Sequence, residues 1–564
     1  MYIFKIFYSF ILQYKFTIIL YLLLTMLTFP LESIVIPQIY SNFFEVLNPK
    51  TPQNVFIKYF LIILVFLIIV NGSIVLTEYM EAYIIPEFNG YIIIYIFKNL
   101  LYKYENNIQD IELGKLITRL SVVPHSIKEF MADICTWILP RLLTIIIINI
   151  YFFYLDWKIG LVSIVLLILF ILLCYRNFKK CISTANEKHK LFEITNQITQ
   201  DKLSNSFSIY SNGKINDEID NFTKKTNIYT KKFKDNLLCV NYSNILTTSL
   251  VVVIFISLNV LTTISYLQKK ISYNNLVAVF IIIIYYMPCL WLINSTMPSL
   301  IQYTGTLQAV DHFIKDIYET NLLKDNEENN VNESLKIKNG KIEIKNLNFG
   351  YNNDHLLFNN LNLTIHENEK IALIGSSGNG KSSIIKLIMG YYNVPNNTIF
   401  IDNHDINDYN LNDLRKQISY VNQNNKLFNL TLLENIQYGN KMSKEEIIKL
   451  CEKIKVDNIF KNLEKGFDTP CGIEGNNLSG GQRQLVHLLR CLAKNNKIVI
   501  LDEPTSAIDT VNVDNIISII KELSKKSTLI IITHDNKLLD LVDRVITIDG
   551  GKIISDKKNN NFIF

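Results

Sequence analysis

Long apolar runs alternate with polar segments over the first half of the chain. Each run holds roughly 20 residues, enough to cross a bilayer as a helix. The runs cover residues 16–36, 56–75, 134–154, 159–174, 245–264 and 276–293, with Pro30 interrupting the first and Pro288 breaking the last. Buried core helices are the alternative, but so many apolar runs in one stretch favour a membrane domain.

Two of the segments between the runs are long. Residues 76–133 and 175–244 carry helical periodicity, so we expect paired helices that project from the membrane on one side. We expect the tips of these extensions at residues 106–118 and 204–212, where they would contact a domain on that side. Ordinary solvated loops are the alternative interpretation.

Basic residues indicate which side the extensions face. Positive charge close to the ends of spans favours the cytosolic side of a membrane. Such residues are Arg176, Lys179, Lys180, Lys231, Lys232 and Lys234, whereas Lys269 and Lys270 on the opposite side are an exception. We therefore expect the extensions, both termini and everything after the last run on the cytosolic side or its equivalent.

The N-terminus carries Lys5 and Lys15 ahead of the first apolar run. A secretory signal peptide has this pattern, but no small-residue cleavage site follows. We therefore expect the first run to be retained as a span.

The pattern changes after the last run. Residues 321–340 are charged and rich in Asn, which is typical of an exposed linker. Beyond them, residues 341–347 and 361–365 alternate like strands, and the apolar runs 499–501 and 528–532 are typical of central parallel strands. We predict a six-helix all-α transmembrane domain over 1–320, a linker over 321–340 and an α/β nucleotide-binding domain over 341–564.

Composition agrees with a multidomain membrane protein. Hydrophobic residues make up 49% of the 564 residues and charged residues only 19%. The net charge of +5 is small for this length, so we expect no nucleic-acid partner. Eight scattered cysteines include no C-x-x-C pair, so we expect buried free thiols rather than a disulfide framework or a zinc site.

A phosphate-binding loop opens the chemistry of the second half. Gly375, Gly380, Lys381 and Ser382 have the G-x-x-x-x-G-K-S spacing, after the apolar residues 371–374 and before a helical segment. Glycines let backbone N–H groups approach phosphates, and the helix N-terminus favours the same negative charge. The candidate nucleotide-binding residues here are Gly375, Ser376, Ser377, Gly378, Asn379, Gly380, Lys381, Ser382 and Ser383.

Two carboxylates end the later apolar strand in VILDE. Asp502 and Glu503 would face the crevice at the carboxyl ends of parallel strands, where the phosphates would lie. Asp502 can hold Mg²⁺ together with the hydroxyl of Ser382, and Glu503 can activate an attacking water. A pair of solvated acids at a strand end is the alternative.

A second anion-binding helix start is expected at Ser479, Gly480, Gly481 and Gln482, because a Ser and two Gly precede a helical run. One chain already has a phosphate loop, so a second such feature suggests a site shared between two domains.

Three further residues are candidates on position alone. His534 follows the apolar run 528–532 and can reach a γ-phosphate; Gln423 can meet Mg²⁺ or the attacking water; and Tyr351 can stack on adenine. A lone His is usually structural and an aromatic is usually packing, so these three depend on their context.

That context is a resemblance covering nearly the whole chain. The chain resembles an ATP-binding cassette half-transporter of the exporter type. GSSGNGKSS resembles the Walker A loop, IVILDEP the Walker B strand, and LSGGQRQ the family signature. Ser506 to Asp509 resemble the D-loop, while Gln423, His534 and Tyr351 lie at the Q-loop, switch and A-loop positions.

Further segments carry the same resemblance, with departures. The stretch TPCGIEG (residues 469–475), which includes Glu474, is similar to the cassette loop that contacts the coupling helices, the short helices at the tips of the membrane extensions. The stretches GKLITRL (114–120) and YLDWKIGLV (154–162) resemble the membrane half of exporters. Asp535 follows the histidine where exporters often have Arg, and Ile473 stands where the loop usually has Glu. The segment around 204–212 matches the second coupling helix of exporters only loosely.

The resemblance implies ATP-driven export by two cassettes that meet head to tail. ATP with Mg²⁺ on Lys381 and Ser382 of one copy would be covered by Ser479 and Gly481 of the other, with Asp509 also at the nucleotide. The implied partners are a second copy or a related half-transporter, the lipid bilayer and a transported small molecule. Glu503, Gln423 and His534 would carry the hydrolysis.

The transported substrate stays open, and so do alternatives to an exporter. The substrate could be a lipid, a drug or another amphipathic compound, or a glutathione-linked or sulfur compound in an organelle. No intramembrane cluster of charges points to a particular ligand. An ATP-gated channel or regulator would be expected to lose a hydrolytic residue. An importer usually has its membrane half and its nucleotide-binding half on separate chains. A soluble cassette protein would lack the six spans.

Overall fold

The computed structural model describes most of the chain, as two compact units. The described residues are 2–47, 51–105, 113–328, 335–351, 355–376, 378–423, 426–505 and 510–559, without the side chains of 113–115, 321–328 and 510–512. The first unit contains the helices up to residue 328, and the second contains the β-sheets.

The first unit is helical throughout its described residues. Its helices are α1 (Tyr2–Gln13), α2 (Lys15–Pro30), α3 (Ile36–Val46), α4 (Gln53–Lys103), α5 (Leu113–Ala132), α6 (Leu139–Leu155), α7 (Trp157–Ser204), α8 (Ser206–Ser211), α9 (Ile215–Leu267), α10 (Tyr273–Ala309) and α11 (Asp311–Glu328). Two π-helical turns, Leu31–Val35 and Asp133–Ile138, join α2 to α3 and α5 to α6.

Six helical segments in the described residues are long and apolar enough to cross a membrane, so the six predicted spans are confirmed. They are Lys15–Val46, Gln53–Lys103, Leu116–Leu155, Trp157–Ser204, Ile215–Leu267 and Tyr273–Ala309. The expected break at Pro288 is wrong, because α10 continues through Pro288 and Pro298. Membrane helices tolerate proline where neighbouring helices and side chains satisfy the freed backbone groups.

The helices are much longer than the apolar runs. With 48 and 53 residues, α7 and α9 measure about 72 and 80 Å at about 1.5 Å per residue. This is more than twice the roughly 30 Å of a bilayer core, so much of each helix extends beyond it. The short helix α8 joins them within the tip expected at 204–212; of the other tip, residues 106–112 lie outside the described residues.

A disulfide joins the extensions. Cys181 on α7 and Cys239 on α9 are bonded, with 5.8 Å between their Cα atoms. The expectation of free thiols throughout is therefore wrong for this pair. The partners are 58 residues apart, so only the antiparallel pairing of two long helices brings them together. The other six cysteines are free, and five of them are buried.

The second unit contains two sheets. An antiparallel sheet has the order β2-β1-β4-β5, from β1 (Ile342–Phe349), β2 (Phe358–Ile365), β4 (Ile399–Ile401) and β5 (His404–Asp405). The larger sheet has the order β10-β9-β3-β8-β7-β6, from β3 (Lys370–Ile374), β6 (Ile418–Val421), β7 (Ile498–Asp502), β8 (Thr528–Ile532), β9 (Arg544–Asp549) and β10 (Lys552–Lys558). Every residue of β7 and β8 is buried, so they are central parallel strands as predicted.

Helices cover the larger sheet. They are α12 (Lys381–Ile388), α13 (Leu411–Lys416), α14 (Leu432–Gln437), α15 (Lys444–Lys453), α16 (Asp457–Lys461), α17 (Gly480–Lys494), α18 (Thr510–Ser524) and α19 (Asn536–Leu539). At the start of the expected linker, residues 321–328 belong to α11 and are helical, whereas residues 329–334 lie outside the described residues.

Candidate ATP-binding and hydrolysis site

Four parallel strands bring the candidate residues to one edge of the larger sheet. In register, Ile532 on β8 pairs with Leu373 on β3 and with Asp502 on β7, and Val421 on β6 pairs with Leu501. Carboxyl ends of parallel strands form the ligand crevice of open α/β sheets. Asp502 is the last residue of β7, and the phosphate loop, Glu503, Gln423 and His534 follow these strand ends.

The loop after β3 has a shape that only glycine permits. Gly375 has a φ of +147°, and a Cβ there would lie 2.1 Å from the carbonyl oxygen of Ile548. Gly380, which precedes α12, has a φ of +94°, and its Cβ would lie 2.6 Å from the ring of Phe358. The backbone therefore turns tightly into the helix N-terminus, which is the cradle a phosphate requires.

Lys381 lies within this cradle. Its side chain is buried, and its Nζ donates to the carbonyl oxygens of Gly375 at 2.6 Å and Ser376 at 2.9 Å. Asn379 donates from Nδ2 to Oδ1 of Asp549 at 2.6 Å, which ties the loop to the end of β9. Gly378 is exposed at the apex, and Ser377 lies outside the described residues.

Ser382 and Asp502 form a pair of oxygen donors beneath the loop. The Ser382 hydroxyl donates to Oδ2 of Asp502 at 3.0 Å, and Asp502 is only 3% exposed. Burial raises the pKa of Asp502, while the Ser382 hydrogen bond and the charge of Lys381 lower it. A hydroxyl and a carboxylate are hard ligands of the kind Mg²⁺ prefers, so the residues present fit that ion.

Glu503 stands next to Asp502 in a strained conformation. Its φ is +48°, in the left-handed region that non-glycine residues rarely adopt, and its backbone N–H donates to the carbonyl oxygen of Ile532 at 2.9 Å. Gln423 donates from Nε2 to Oε2 of Glu503 at 2.9 Å. Strain of this kind concentrates at functional sites. His534 is exposed two residues beyond the end of β8.

Tyr351 is adjacent to the start of α12. Its hydroxyl lies 2.6 Å from Oγ of Ser383, and its ring meets those of Phe349 and Tyr392 edge-on, with centroids 5.3 Å apart in each case. The side chain is still 45% exposed, so part of the ring is open for stacking.

The signature residues build a separate helix start. Ser479 accepts at Oγ from the N–H of Gln482, and Gln482 accepts at Oε1 from the N–H of Ser479, a reciprocal cap of α17. Gly480 and Gly481 are the first helical residues. The described hydrogen bonds of Ser479 and Gln482 do not reach the phosphate loop. Asp509 lies outside the described residues.

The nearby loop 469–475 has an exposed apolar residue and an ion pair. Ile473 is exposed, while Oε1 of Glu474 lies 2.7 Å from Nζ of Lys426.

Sequence reasoning missed two sets of residues. Asp549 was not a candidate, because it contacts Asn379 across 170 residues of sequence. The sequence reasoning also did not single out Tyr21 and Glu81, which are hydrogen-bonded in the helical unit, or Arg141, which is buried on α6. Acids at residues 32, 78 and 81, within or just beyond apolar runs, are the signal that could have drawn attention to these residues.

Membrane-spanning helices together with a phosphate-loop cassette define an ATP-driven membrane transporter. A family model for the ABC transporter transmembrane region matches residues 8–289, and the ABC transporter model matches residues 358–506. The chain belongs to the ABC transporter family. It is a multi-pass membrane protein, a half-transporter of the exporter type, and an ATP-binding ATPase coupled to transport, which implies a dimer in a lipid bilayer.

Individual proteins support this assignment. An ATP-dependent lipid A-core flippase from Haemophilus influenzae (strain 86-028NP) is 28% identical over 513 residues, covering 88% of this chain and 84% of that protein. A heterocyst differentiation ATP-binding protein from Nostoc sp. is 27% identical over 452 residues, covering 78% and 71%. The solved structure of a bacterial Atm1-family ABC exporter with ATP bound has a TM-score of 0.82, at 20% identity, and covers 97% of this chain and 95% of that chain.

Proposed function

We propose that the protein exports an amphipathic organic compound as a homodimer, hydrolysing ATP between two cassettes. The observation that carries this proposal is the group formed by Lys381, Ser382, Asp502, Glu503 and Gln423 at one edge of the sheet. No hydrolytic candidate is replaced, so two copies would have two competent sites. The likeness to a lipid A-core flippase supports an amphipathic substrate.

Each residue has a proposed role in hydrolysis. Lys381 and the loop N–H groups hold the phosphates, and Glu503 takes a proton from the attacking water. Gln423 orients Glu503 through the hydrogen bond at 2.9 Å. His534 contacts the γ-phosphate, and Tyr351 stacks on the adenine.

Three residues would hold the metal ion. Ser382, Asp502 and Gln423 would bind Mg²⁺, which neutralises phosphate charge when bound. The hydrogen bond between Ser382 and Asp502 supports this role, because it already places two of the oxygen donors together.

The signature residues would act on the other copy. Ser479, Gly480, Gly481 and Gln482, together with Asp509, would cover the nucleotide held by the partner's phosphate loop. The cap at Ser479 supports this, because it presents the positive end of α17 outward from a rigid start. Closure of the cassettes would move the membrane helices, and hydrolysis would reset them. The basic residues 176–180 and 231–234 support a cytosolic side for the ATPase.

The test is ATP hydrolysis by purified protein in lipid, with lipids, glutathione conjugates and hydrophobic drugs added in turn. We expect basal hydrolysis that Lys381→Ala abolishes and that one amphipathic class stimulates. Lys552→Ala, an exposed lysine on β10, is the matched control and should leave the rate within about twofold. A well-folded protein without hydrolysis would contradict the homodimer, and stimulation by glutathione conjugates alone would contradict the amphipathic class.

A further inference from the structure

The phosphate loop is rich in glycines that hold unusual backbone angles. Gly378 and Gly380 have φ values of +87° and +94°, in the region that glycine enters most easily. A glycine that is free before binding loses more conformational entropy on ordering than any other residue. A contact that holds the empty loop in shape would therefore lower the cost of binding a phosphate.

The side-chain amide of Asn379 provides such a contact at the apex of the loop. Its Nδ2 donates to Oγ of Ser376 at 3.1 Å, within the loop, and to Oδ1 of Asp549 at 2.6 Å, outside it. A primary amide has two N–H donors, so both bonds can form at once. The bond to Asp549 is the stronger of the two, because its acceptor is an ionised carboxylate.

Asp549 lies on a rigid support. It ends β9, and Gly550 and Gly551 form the two-residue turn into β10, with φ values of +50° and +72°. Two-residue hairpin turns with positive φ at both positions favour glycine. A Cβ at Gly551 would lie 1.7 Å from the carbonyl oxygen of Leu357, so the turn packs directly on the segment before β2. The backbone of Asp549 therefore has little freedom to move.

The end of β9 also contacts the start of the loop. The carbonyl oxygen of Ile548 lies so close to Gly375 that any Cβ there would collide with it. Ile548 and Asp549 therefore hold the phosphate loop at two points, its first residue by backbone contact and its apex by a hydrogen bond. Loops of this kind bind phosphates through their backbone N–H groups, so both contacts bear on the binding geometry.

We propose that Asp549 is a positioning residue for ATP binding, which keeps the phosphate loop in its binding conformation before the nucleotide arrives. The proposal deepens the function proposed above and rests on it. The charge of Asp549 opposes binding, because the phosphates are negative as well. Removing the carboxylate would therefore strengthen ATP binding if charge alone mattered, and weakens it if the hydrogen bond to Asn379 positions the loop.

The sign of this effect is measured with a fluorescent ATP analogue on the whole chain in phosphatidylcholine nanodiscs. Asp549→Leu removes both the charge and the acceptor, and should weaken binding by about fivefold or more. Asp549→Asn removes the same charge but keeps an acceptor oxygen for Asn379, so its affinity should stay within about twofold of the unaltered protein. Unchanged or stronger binding by Asp549→Leu, or equal weakening in both variants, overturns the proposal.

A double-mutant cycle tests the contact itself. Asn379→Ala should weaken binding by a factor similar to that of Asp549→Leu. The two changes together should weaken it no further than either alone, because both remove the same hydrogen bond. Effects that multiply in the double variant overturn the proposal. If Asp549→Leu fails to fold, Asn379→Ala still decides, and an unchanged affinity in that variant would overturn the proposal.

Asp556 on β10 provides a matched control for loss of stability. Its carboxylate accepts two hydrogen bonds of 2.6 Å from Nε and Nη2 of Arg544, and these contacts lie away from the phosphate loop. Asp556→Asn should therefore lower the Tm while ATP affinity stays within about twofold. A loss of affinity as large as that of Asp549→Leu would assign both effects to general destabilisation and overturn the proposal.

Hydrolysis measured on the same nanodiscs separates this proposal from the proposed function. In Asp549→Leu, the KM for ATP should rise with the dissociation constant while kcat changes less than about twofold, because Asp549 holds the loop rather than the attacking water. A lower kcat at an unchanged KM would overturn the positioning role. Absent hydrolysis in the unaltered protein, with the expected shifts in binding, would contradict the transport proposal alone. Intact hydrolysis with unshifted binding would contradict the role of Asp549 alone.

Discussion

The cassette and the membrane unit place their polar groups in opposite ways. In the cassette, the candidate residues come in short contiguous stretches at strand ends, such as 375–383 and 502–503. In the membrane unit, Tyr21 meets Glu81 and Thr136 across 60 and 115 residues of sequence. Chemistry that relies on backbone shape leaves a local motif, whereas chemistry assembled from side chains of separate helices leaves none.

The largest expected effect removes the carboxylate of Glu503 while keeping its shape. Glu503→Gln should lower ATP hydrolysis about 10²- to 10⁴-fold, because an amide cannot accept the proton of the attacking water. Binding of a fluorescent ATP analogue should persist. Glu464→Gln, at an exposed position of the cassette, is the control. Undiminished hydrolysis by the Glu503 variant would refute its role as a base.

Glycine substitutions test whether backbone shape matters in one unit and not in the other. Gly375→Ala should destabilise the cassette by at least about 2 kcal/mol, because its Cβ would meet the Ile548 carbonyl oxygen at 2.1 Å. Gly72→Ala on α4 meets nothing within 4 Å and should stabilise that helix by about 0.5–1 kcal/mol. Thermal unfolding of the purified variants measures both, and equal shifts would contradict the contrast.

A smaller effect separates stability from activity at Asp502. Burial places its folded-state pKa above the unfolded-state value, so at neutral pH the charged form costs folding free energy. Asp502→Asn should therefore raise the cassette Tm at pH 7 by a few degrees while hydrolysis is lost. The gain should shrink as the pH falls through the raised folded-state pKa and disappear below about pH 3, where the unaltered Asp502 is mostly protonated in the unfolded state as well. Asp540→Asn, at an exposed position, should show neither change.

The smallest expected effect is a difference of two reactive thiols between the unreduced and the reduced protein. The denatured protein should react at six cysteines without reductant and at eight after reduction, because Cys181 and Cys239 are bonded. Titration with a chromogenic thiol reagent measures this. Eight thiols without reductant would remove the covalent link between α7 and α9.

The contrast between the cassette and the membrane unit also explains which features could be predicted from the sequence. The six spans and the phosphate loop were predictable because run length and glycine spacing are local signals. The long extensions of α7 and α9 were also predictable, because helical periodicity continues over 175–244 where the apolar runs end. The break at Pro288 was expected from local propensity, but packing within the unit preserves α10. The Cys181–Cys239 bond and the Asn379–Asp549 contact join distant residues, for which local patterns carry no signal.

The uniform burial of β7 has a consequence for how this strand can change over evolution. Ile498, Val499, Ile500 and Leu501 are all buried, so the strand has no inner and outer face to distinguish. Exchanges between Ile and Leu there conserve volume and should cost little, whereas exchanging either for Val removes one methylene and should cost about 1 kcal/mol. Deleting one residue would keep the strand buried, but Asp502 and Glu503 would each point to the other face of the sheet. Selection on this strand therefore acts on its length, while its composition is free to drift.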